Sequence, residues 1–187
     1  QIPLKKVLNT GRFDFERASQ APGWLKELRG EHTPETEEYG IASTAYRARR
    51  PFHPQRFFDF INREWINGKL LRSKGFFWLA SKHQDAGSWS QAGGLMRYGF
   101  AGRWWRFVPK QEWPQDPEST AAIMENWTAE TGDCRQELVF IGQHINFARL
   151  TDELDSCLLT DAEMTSGVDS WALLADPFGP WHDEAAP

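Results

Sequence analysis

The chain is poor in the residues that carry metal and redox chemistry. It has two cysteines in 187 residues, Cys134 and Cys157, with no CxxC pairing. That excludes the disulfide framework of a small secreted domain. Both read as reduced structural thiols, since free cysteine behaves as a small hydrophobe; a disulfide between them is the open alternative. The five histidines, at 32, 53, 83, 144 and 182, form no i, i+4 pair, so there is no helical two-histidine zinc site. Neither G-x-x-x-x-G-K-[ST] nor G-x-G-x-x-G occurs, which leaves no phosphate-cradling loop in this chain. No apolar run approaches the length of about 18 residues that a membrane helix needs, and no basic segment leads into an apolar one as in a signal peptide. The first residue is Gln1, from which a piece of a longer protein is expected.

Aromatics are abundant, with ten Trp and thirteen Phe, and 40% of residues are hydrophobic against 25% charged. A chain of this length buries roughly 70% of its unfolded surface, enough for one domain without covalent staples. Collagenous, low-complexity and wholly disordered classes are excluded. The net charge of −5 hides a division into blocks. Residues 1–40 carry six basic and seven acidic side chains, residues 41–108 twelve and three, and residues 109–187 three and sixteen. The middle block either pairs with the acidic third or meets an anionic partner.

Residues 1–40 read as a connector. Pro22 opens a short turn or helix bearing Trp24, Leu25 and Leu28, and an acidic linker follows from Gly30 to Gly40. Alternation over 41–49 predicts a strand. Pro54 at a first helical position, with His53 at the cap, predicts a helix with Phe57, Phe58, Ile61 and Trp65 on one face, ended by Asn67-Gly68. Buried strands are predicted over 76–80 and 137–142. Another is predicted over 88–98, with Gly93-Gly94 as a bulge or close backbone approach, and residues 102–108 could add one more. Asp116-Pro117-Glu118 starts a helix that runs toward Gly132. Asn146 caps another with Phe147, Leu150, Leu154, Cys157 and Leu158 on one face, and Thr160 with Glu163 forms a capping box. From about 166 the chain is acidic, with Trp171, Phe178 and Trp181 as docking anchors. The pattern predicts an α+β fold: an open, mostly antiparallel sheet of four to five strands with helices packed on one face. The expected divisions are a connector at 1–40, the domain proper at 41–165 and an acidic tail at 166–187.

Three chemistries deserve weighing on residues alone. His32 with Glu35, Glu37 and Glu38, or with His182, would make at most a weak exposed metal site. Lys74-Gly75-Phe76-Phe77-Trp78-Leu79-Ala80 resembles the aromatic strand of RRM domains and motivates an RNA-binding alternative, with Arg72 and Lys74 on phosphates. Against it, Phe77 stands where a small residue belongs. Trp104-Trp105 between Arg103 and Arg106 suggests cation–π pairing or a strand end packed on the sheet.

A collinear series of segments carries a more specific likeness. Tyr46-Arg47-Ala48-Arg49-Arg50-Pro51-Phe52-His53-Pro54, Leu71 to Ala80, Trp89-Ser90-Gln91-Ala92-Gly93-Gly94, Trp104-Trp105, Arg135 to Gly142 and Leu158-Leu159-Thr160-Asp161 together resemble the C-terminal domain of the CobW family. Residues 1–20 resemble the end of that family's GTPase domain. The resemblance implies a cytoplasmic parent, a P-loop GTPase acting as a metallochaperone, with zinc the commonest cargo. It places the GTP and Mg²⁺ sites and the metal-binding CxCC motif in the preceding domain, so no catalytic residue, metal ligand or cofactor is expected in this chain. Cys134 and Cys157 do not reproduce that motif. The implied partners are the chain's own GTPase domain and a metal-requiring client protein; no membrane is expected and nucleic acid is disfavoured. The partner-binding residues expected are His53, Arg72, Lys74, Trp89, Gln91, Gly93, Gly94, Trp104 and Trp105.

Overall fold

The computed structural model describes residues 40–181. The expected connector, the His32 cluster and His182 lie outside the described residues. Five strands, β1 (Ile41–Ala48), β2 (Lys69–Trp78), β3 (Asp85–Ala92), β4 (Leu95–Arg103) and β5 (Gln136–Gln143), form one sheet in the order β1-β5-β2-β3-β4. Every adjacent pair is antiparallel. The helices are α1 (Pro54–Asn62), α2 (Pro117–Glu125), α3 (Phe147–Asp155), α4 (Asp161–Ser166) and the single turn α5 (Val168–Trp171). The expected α+β sheet with helices is therefore present.

Strand alternation assigns the two faces. Tyr46, Leu138, Phe140, Phe77 and Trp89 point to one side and join Phe57 and Phe60 of α1 and Leu150 and Leu154 of α3 in a continuous core. Phe52, Phe57 and Phe178 are buried within it as a stack of rings, with centroids 4.2 Å apart for Phe52–Phe57 and 5.9 Å for Phe57–Phe178. Gly87, opposite Phe77 in the ladder, makes this packing possible. A Cβ there would stand 2.4 Å from the Phe77 ring. A second, smaller core of Trp78, Ala80, Ala86, Trp104, Cys134, Leu159 and Trp171 closes one end of the sheet. Trp171 and Phe178 are thus buried anchors for the acidic C-terminal stretch.

The fully buried carboxamide of Gln136 stands between the two cores. Its Oε1 accepts from the Trp78 N–H at 2.9 Å, and its Nε2 donates to the carbonyls of Trp78 at 2.8 Å and Arg50 at 3.0 Å. The last backbone pair of β2 with β5 is Phe76 with Glu137. Beyond it the side-chain amide does what a peptide group would do in the ladder, and Phe52 takes over by donating to Trp78 O and accepting from Ala80 N.

Several element boundaries differ from those expected. Residues 88–98 are not one strand with a bulge. Gly93-Gly94 is a two-residue hairpin loop between β3 and β4, with Ala92 opposite Leu95. Gly93 has φ +57°, the positive angle that a primed turn requires at its first central position. Residues 102–108 add no further strand: β4 ends at Arg103, and Trp105–Phe107 form a 3₁₀ turn because buried Asp133 accepts from the N–H groups of Trp105 and Arg106. β2 begins seven residues before the expected apolar run at 76–80: Lys69–Gly75 already pairs with β5, with buried Ser73 between exposed Arg72 and Lys74. Helix α1 stops at Asn62, where extended Arg63 caps it through Asp59 O, rather than continuing to Trp65. α2 stops at Glu125, short of Gly132, because Thr128 and Gly132 pair with each other in a tight loop. α3 stops at Asp155 because Leu158 leaves the helix to bridge Phe52.

Helices α1 and α4 are tied by charge. Arg56 donates to both oxygens of Glu163, at 2.9 and 2.6 Å, and to Leu158 O at 2.9 Å. Glu163 also closes the expected capping box by accepting from Thr160 N. The Arg56 guanidinium holds the Glu163 carboxyl at about 2, below its ordinary 4.5. At the same end of α1, His53 Nδ1 accepts from Arg56 N, and burial, then the Arg56 charge, keeps the imidazole below its ordinary 6.5.

Two outcomes follow for stability. Gln136→Leu strands the Trp78 N–H and the Arg50 carbonyl in the core. It should cost about 3 kcal/mol and lower Tm by roughly 6–12 °C, read by calorimetry. The second is a pH profile. Both folded-state pKa values are depressed, so the His53 contribution is complete above 6.5 and fades below it, and the Glu163 contribution is complete above 4.5 and is lost toward 2. His53→Asn, which keeps a capping acceptor, should abolish the first limb in denaturation midpoints against pH, and Arg56→Gln should shrink the second to the part that Thr160 supplies.

Candidate functional site

The side of the sheet away from α1 and α3 is uncovered over most of its length among the described residues. Residues opposite one another in an antiparallel ladder share a face, so the register fixes three rows across it. Arg72 lies between Ile141 and Ala92, with Ser43 and Leu95 at the outer strands. Lys74 lies between Val139 and Ser90, with Ala45 and Arg97 outside. Phe76 lies between Glu137 and Ser88, with Arg47 and Gly99 outside. The neighbouring side chains are small, so Phe76 stands 46% exposed and Val139 38%. Beyond Phe76 the face ends in a hollow of about 290 Å³, walled by Ala101, Trp104, Trp105, Ala122, Ile123 and Arg135.

Ion pairing selects which cations remain available here. Five pairs join the basic middle of the chain to its acidic third: Arg47–Glu137, Arg50–Asp161, Arg56–Glu163, Arg63–Glu153 and Lys82–Asp176. Arg103 is within 3.6 Å of Asp85. Arg72, Lys74 and Arg97 have no carboxylate partner among the described residues, and all three are exposed on the open face. The one acid in the rows, Glu137, is held by Arg135 at 2.8 Å and Arg47 at 3.3 Å, and the Arg135 hydrogen bond above all keeps its carboxyl below the ordinary range. The face is a cationic, partly aromatic plane suited to an anionic protein surface.

The expected partner-binding residues are not all brought together. Arg72 and Lys74 are on the open face. Trp89 and Gln91 belong to the same strand pair but point to the helix side, where both are buried. There Trp89 Nε1 donates to Ser73 Oγ, and Ser73 Oγ donates to Gln91 Oε1. With Gly93 and Gly94 these two line a separate cleft of about 450 Å³ on the helix side. His53 caps α1, away from both. Trp104 is buried in the second core, under the Arg135 guanidinium at 5.9 Å, while half-buried Trp105 meets Trp113 edge to face. Both also wall the hollow that ends the open face.

Sequence reasoning names neither Arg97 nor Val139 as partner-binding, and it offers Phe76 only through the RNA-binding alternative. Reading Gly93-Gly94 as a hairpin would have found Arg97, since that turn sets Arg97 opposite Ser90 and in line with Lys74. No group of three His, Cys, Asp or Glu able to hold a metal occurs among the described residues. Both cysteines are free and buried, and burial pushes the thiols of Cys134 to about 12 and Cys157 to about 11, so neither is a ready thiolate donor. No helix among the described residues is long and apolar enough to cross a membrane.

Residues 41–158 match the family described as the cobalamin synthesis protein cobW C-terminal domain. The chain is 48% identical over 178 residues to the zinc-regulated GTPase metalloprotein activator 1 of Dictyostelium discoideum, covering 94% of this chain and 37% of that protein. It is 30% identical over 145 residues to the zinc chaperone Rv0106 of Mycobacterium tuberculosis, covering 77% of this chain and 36% of that protein. A solved structure, the Zn(II)-bound YjiA GTPase from E. coli, aligns with a TM-score of 0.42 and 13% identity over 68% of this chain and 33% of that one. The chain spans little more than a third of the length of the curated relatives it matches. The collinear sequence segments, the family match and these relatives agree: the chain belongs to the CobW C-terminal domain family.

Proposed function

We propose that this chain is the accessory, client-docking domain of a cytoplasmic, GTP-dependent zinc chaperone. Nucleotide and Mg²⁺ are held by the preceding GTPase domain, and zinc is the cargo passed to a metal-requiring client. The chain itself has no catalytic role in this reading. Its contribution is a surface: the open face of the sheet carries Arg72, Lys74 and Arg97 against an acidic region of the client or of the GTPase domain. Phe76 and Val139 supply apolar contact between the charges.

The observation that carries the reading is the unequal fate of the cations in the middle block. Arg56, Arg63 and Lys82 are taken up by internal pairs with the acidic third, whereas Arg72, Lys74 and Arg97 on the uncovered face have no carboxylate partner among the described residues. Exposed cations around an aromatic centre give both steering and an anchor. The printed names of the relatives, a zinc-regulated GTPase metalloprotein activator and a zinc chaperone, supply the class of process.

The test is binding of the metal-requiring client, and separately of the GTPase domain supplied in trans, to the double variant Arg72→Glu/Lys74→Glu. At least a tenfold loss of affinity for one of them, about 1.4 kcal/mol, is expected. The loss should shrink as salt is raised, because the contribution is screened. Unchanged affinity for both partners at low salt would remove this face from the function.

A further inference from the structure

A trough runs along the open face above β3. The residues that β3 turns to this side are Ala86, Ser88, Ser90 and Ala92, all of them small. Three of them stand between named neighbours: Ser88 between Phe76 and Gly99, Ser90 between Lys74 and Arg97, and Ala92 between Arg72 and Leu95. These flanking side chains are larger than the floor, apart from Gly99, where an added Cβ would meet nothing within 4 Å. The walls, β2 and β4, are two strand spacings apart, about 10 Å. An α-helix, about 10–12 Å across with its side chains, would ride on those walls. A single extended chain fits between them.

The trough leads into the hollow that ends the face, which shares Phe76 and Ala86 with it. Trp104, Trp105 and Ile123 give the hollow, of about 290 Å³, an apolar lining. Its charged groups are already engaged. The two Asp133 oxygens accept from backbone N–H groups at 2.9 and 3.0 Å, Arg135 pairs with Glu137, and Arg103 stands 3.6 Å from Asp85. This end is therefore suited to an apolar side chain. Farther along, Lys74 and Arg97 flank one position of the trough from both sides, and neither has a carboxylate partner among the described residues. Two like charges on either side of one position favour an anion between them. A nucleic-acid strand finds less here: the exposed ring available for stacking along the trough is Phe76, and it lies opposite the Glu137 carboxylate.

We infer that the trough over β3 binds an extended acidic segment of a partner protein, anchored by a large apolar side chain in the hollow. This deepens the reading of the open face as a docking surface and rests on it. The register sets the spacing. Side chains of an extended chain return to one side every two residues, a step of about 6.6 Å that matches the step along β3 itself. With the anchor over Ala86, the second residue along passes Ser88 and Gly99. The fourth lies between Lys74 and Arg97, and the sixth lies beside Arg72. The recognised pattern is an apolar residue with carboxylates four and six positions away.

The test uses the ¹⁵N-labelled chain and two peptides of one composition, acetyl-Phe-Thr-Ser-Thr-Glu-Thr-Glu-amide and acetyl-Phe-Thr-Ser-Glu-Thr-Glu-Thr-amide. Each is also made in reverse order, since the trough admits either chain direction. In one direction the first spacing should shift the Ser88 and Ser90 amide resonances saturably, with a dissociation constant below about 1 mM, and bind at least fivefold tighter than the second. Ala122→Phe, at an exposed position beside the hollow, should weaken binding at least tenfold by filling it, and Arg97→Glu at least fivefold. Absent shifts at roughly 5 mM peptide would overturn the inference, as would equal binding of the two spacings or undiminished binding to Ala122→Phe. Loss of binding in Arg72→Glu/Lys74→Glu with none in Ala122→Phe or Arg97→Glu would keep the open face as a docking plane and overturn the trough. A short oligouridylate that binds as tightly as the peptide would assign the trough to nucleic acid and overturn the protein partner.

Discussion

The carboxamide of Gln136 is the point on which the rest of the structure depends. It replaces a rung of the ladder where β2 and β5 stop pairing, and it ties the strand ends to the chain at Arg50. Strand side chains alternate with period two, so a slip of one residue exchanges the faces completely. In such a slip Leu138 and Phe140 would face water, and the row bearing Arg72 and Lys74 would be driven against α1 and α3. A buried amide that accepts from one peptide group and donates to two others leaves no alternative register with its hydrogen bonds intact. One polar residue in the core thus helps to hold Arg72 and Lys74 on the open plane, and the Gly93-Gly94 hairpin adds Arg97 to it.

Charge is then distributed by geometry rather than by net count. The acidic third of the chain does fold against the basic middle, and five pairs result, most of them tying α1, α3 and α4 to one another or to the strand ends. Arg56 with Glu163 shows how far this goes, one carboxylate serving a guanidinium and a capping box together. Of those five acids Glu137 lies on the open face, held there by Arg47 and Arg135, and the other four are borne by α3, α4 and the C-terminal stretch. Of the two expectations raised by the charge blocks, internal pairing is what these five bridges show, and an anionic partner for the open face is the proposal made above.

Much of the fold was legible in the sequence because its local signals agree. His53-Pro54, Asp116-Pro117, Asn146 and Thr160 with Glu163 all mark helix starts where helices begin, since caps act within one turn and need no tertiary help. The helix ends were less legible, being set by distant partners such as Phe52 pulling Leu158 into a bridge. The hairpin at Gly93-Gly94 was hidden because a glycine pair inside a strand-like run marks a bulge as readily as a turn. That error concealed Arg97 and merged two surfaces, because Lys74 and Trp89 are neighbours on paired strands but face opposite ways. The cleft had no sequence signal: its walls come from three separate segments and meet only when α1 ends early and the chain turns through Trp65.

The central claim is that the uncovered side of the sheet is where the domain meets its partner. Hydroxyl-radical footprinting of the full-length protein, free and with its metal-requiring client bound, reads side chains one by one and so distinguishes the faces. The account predicts that oxidation of Phe76 and Val139 falls several-fold in the complex, while Phe57 and Phe77 in the main core are unchanged. Phe76 and Val139 that stay as reactive in the complex as in the free protein would contradict it.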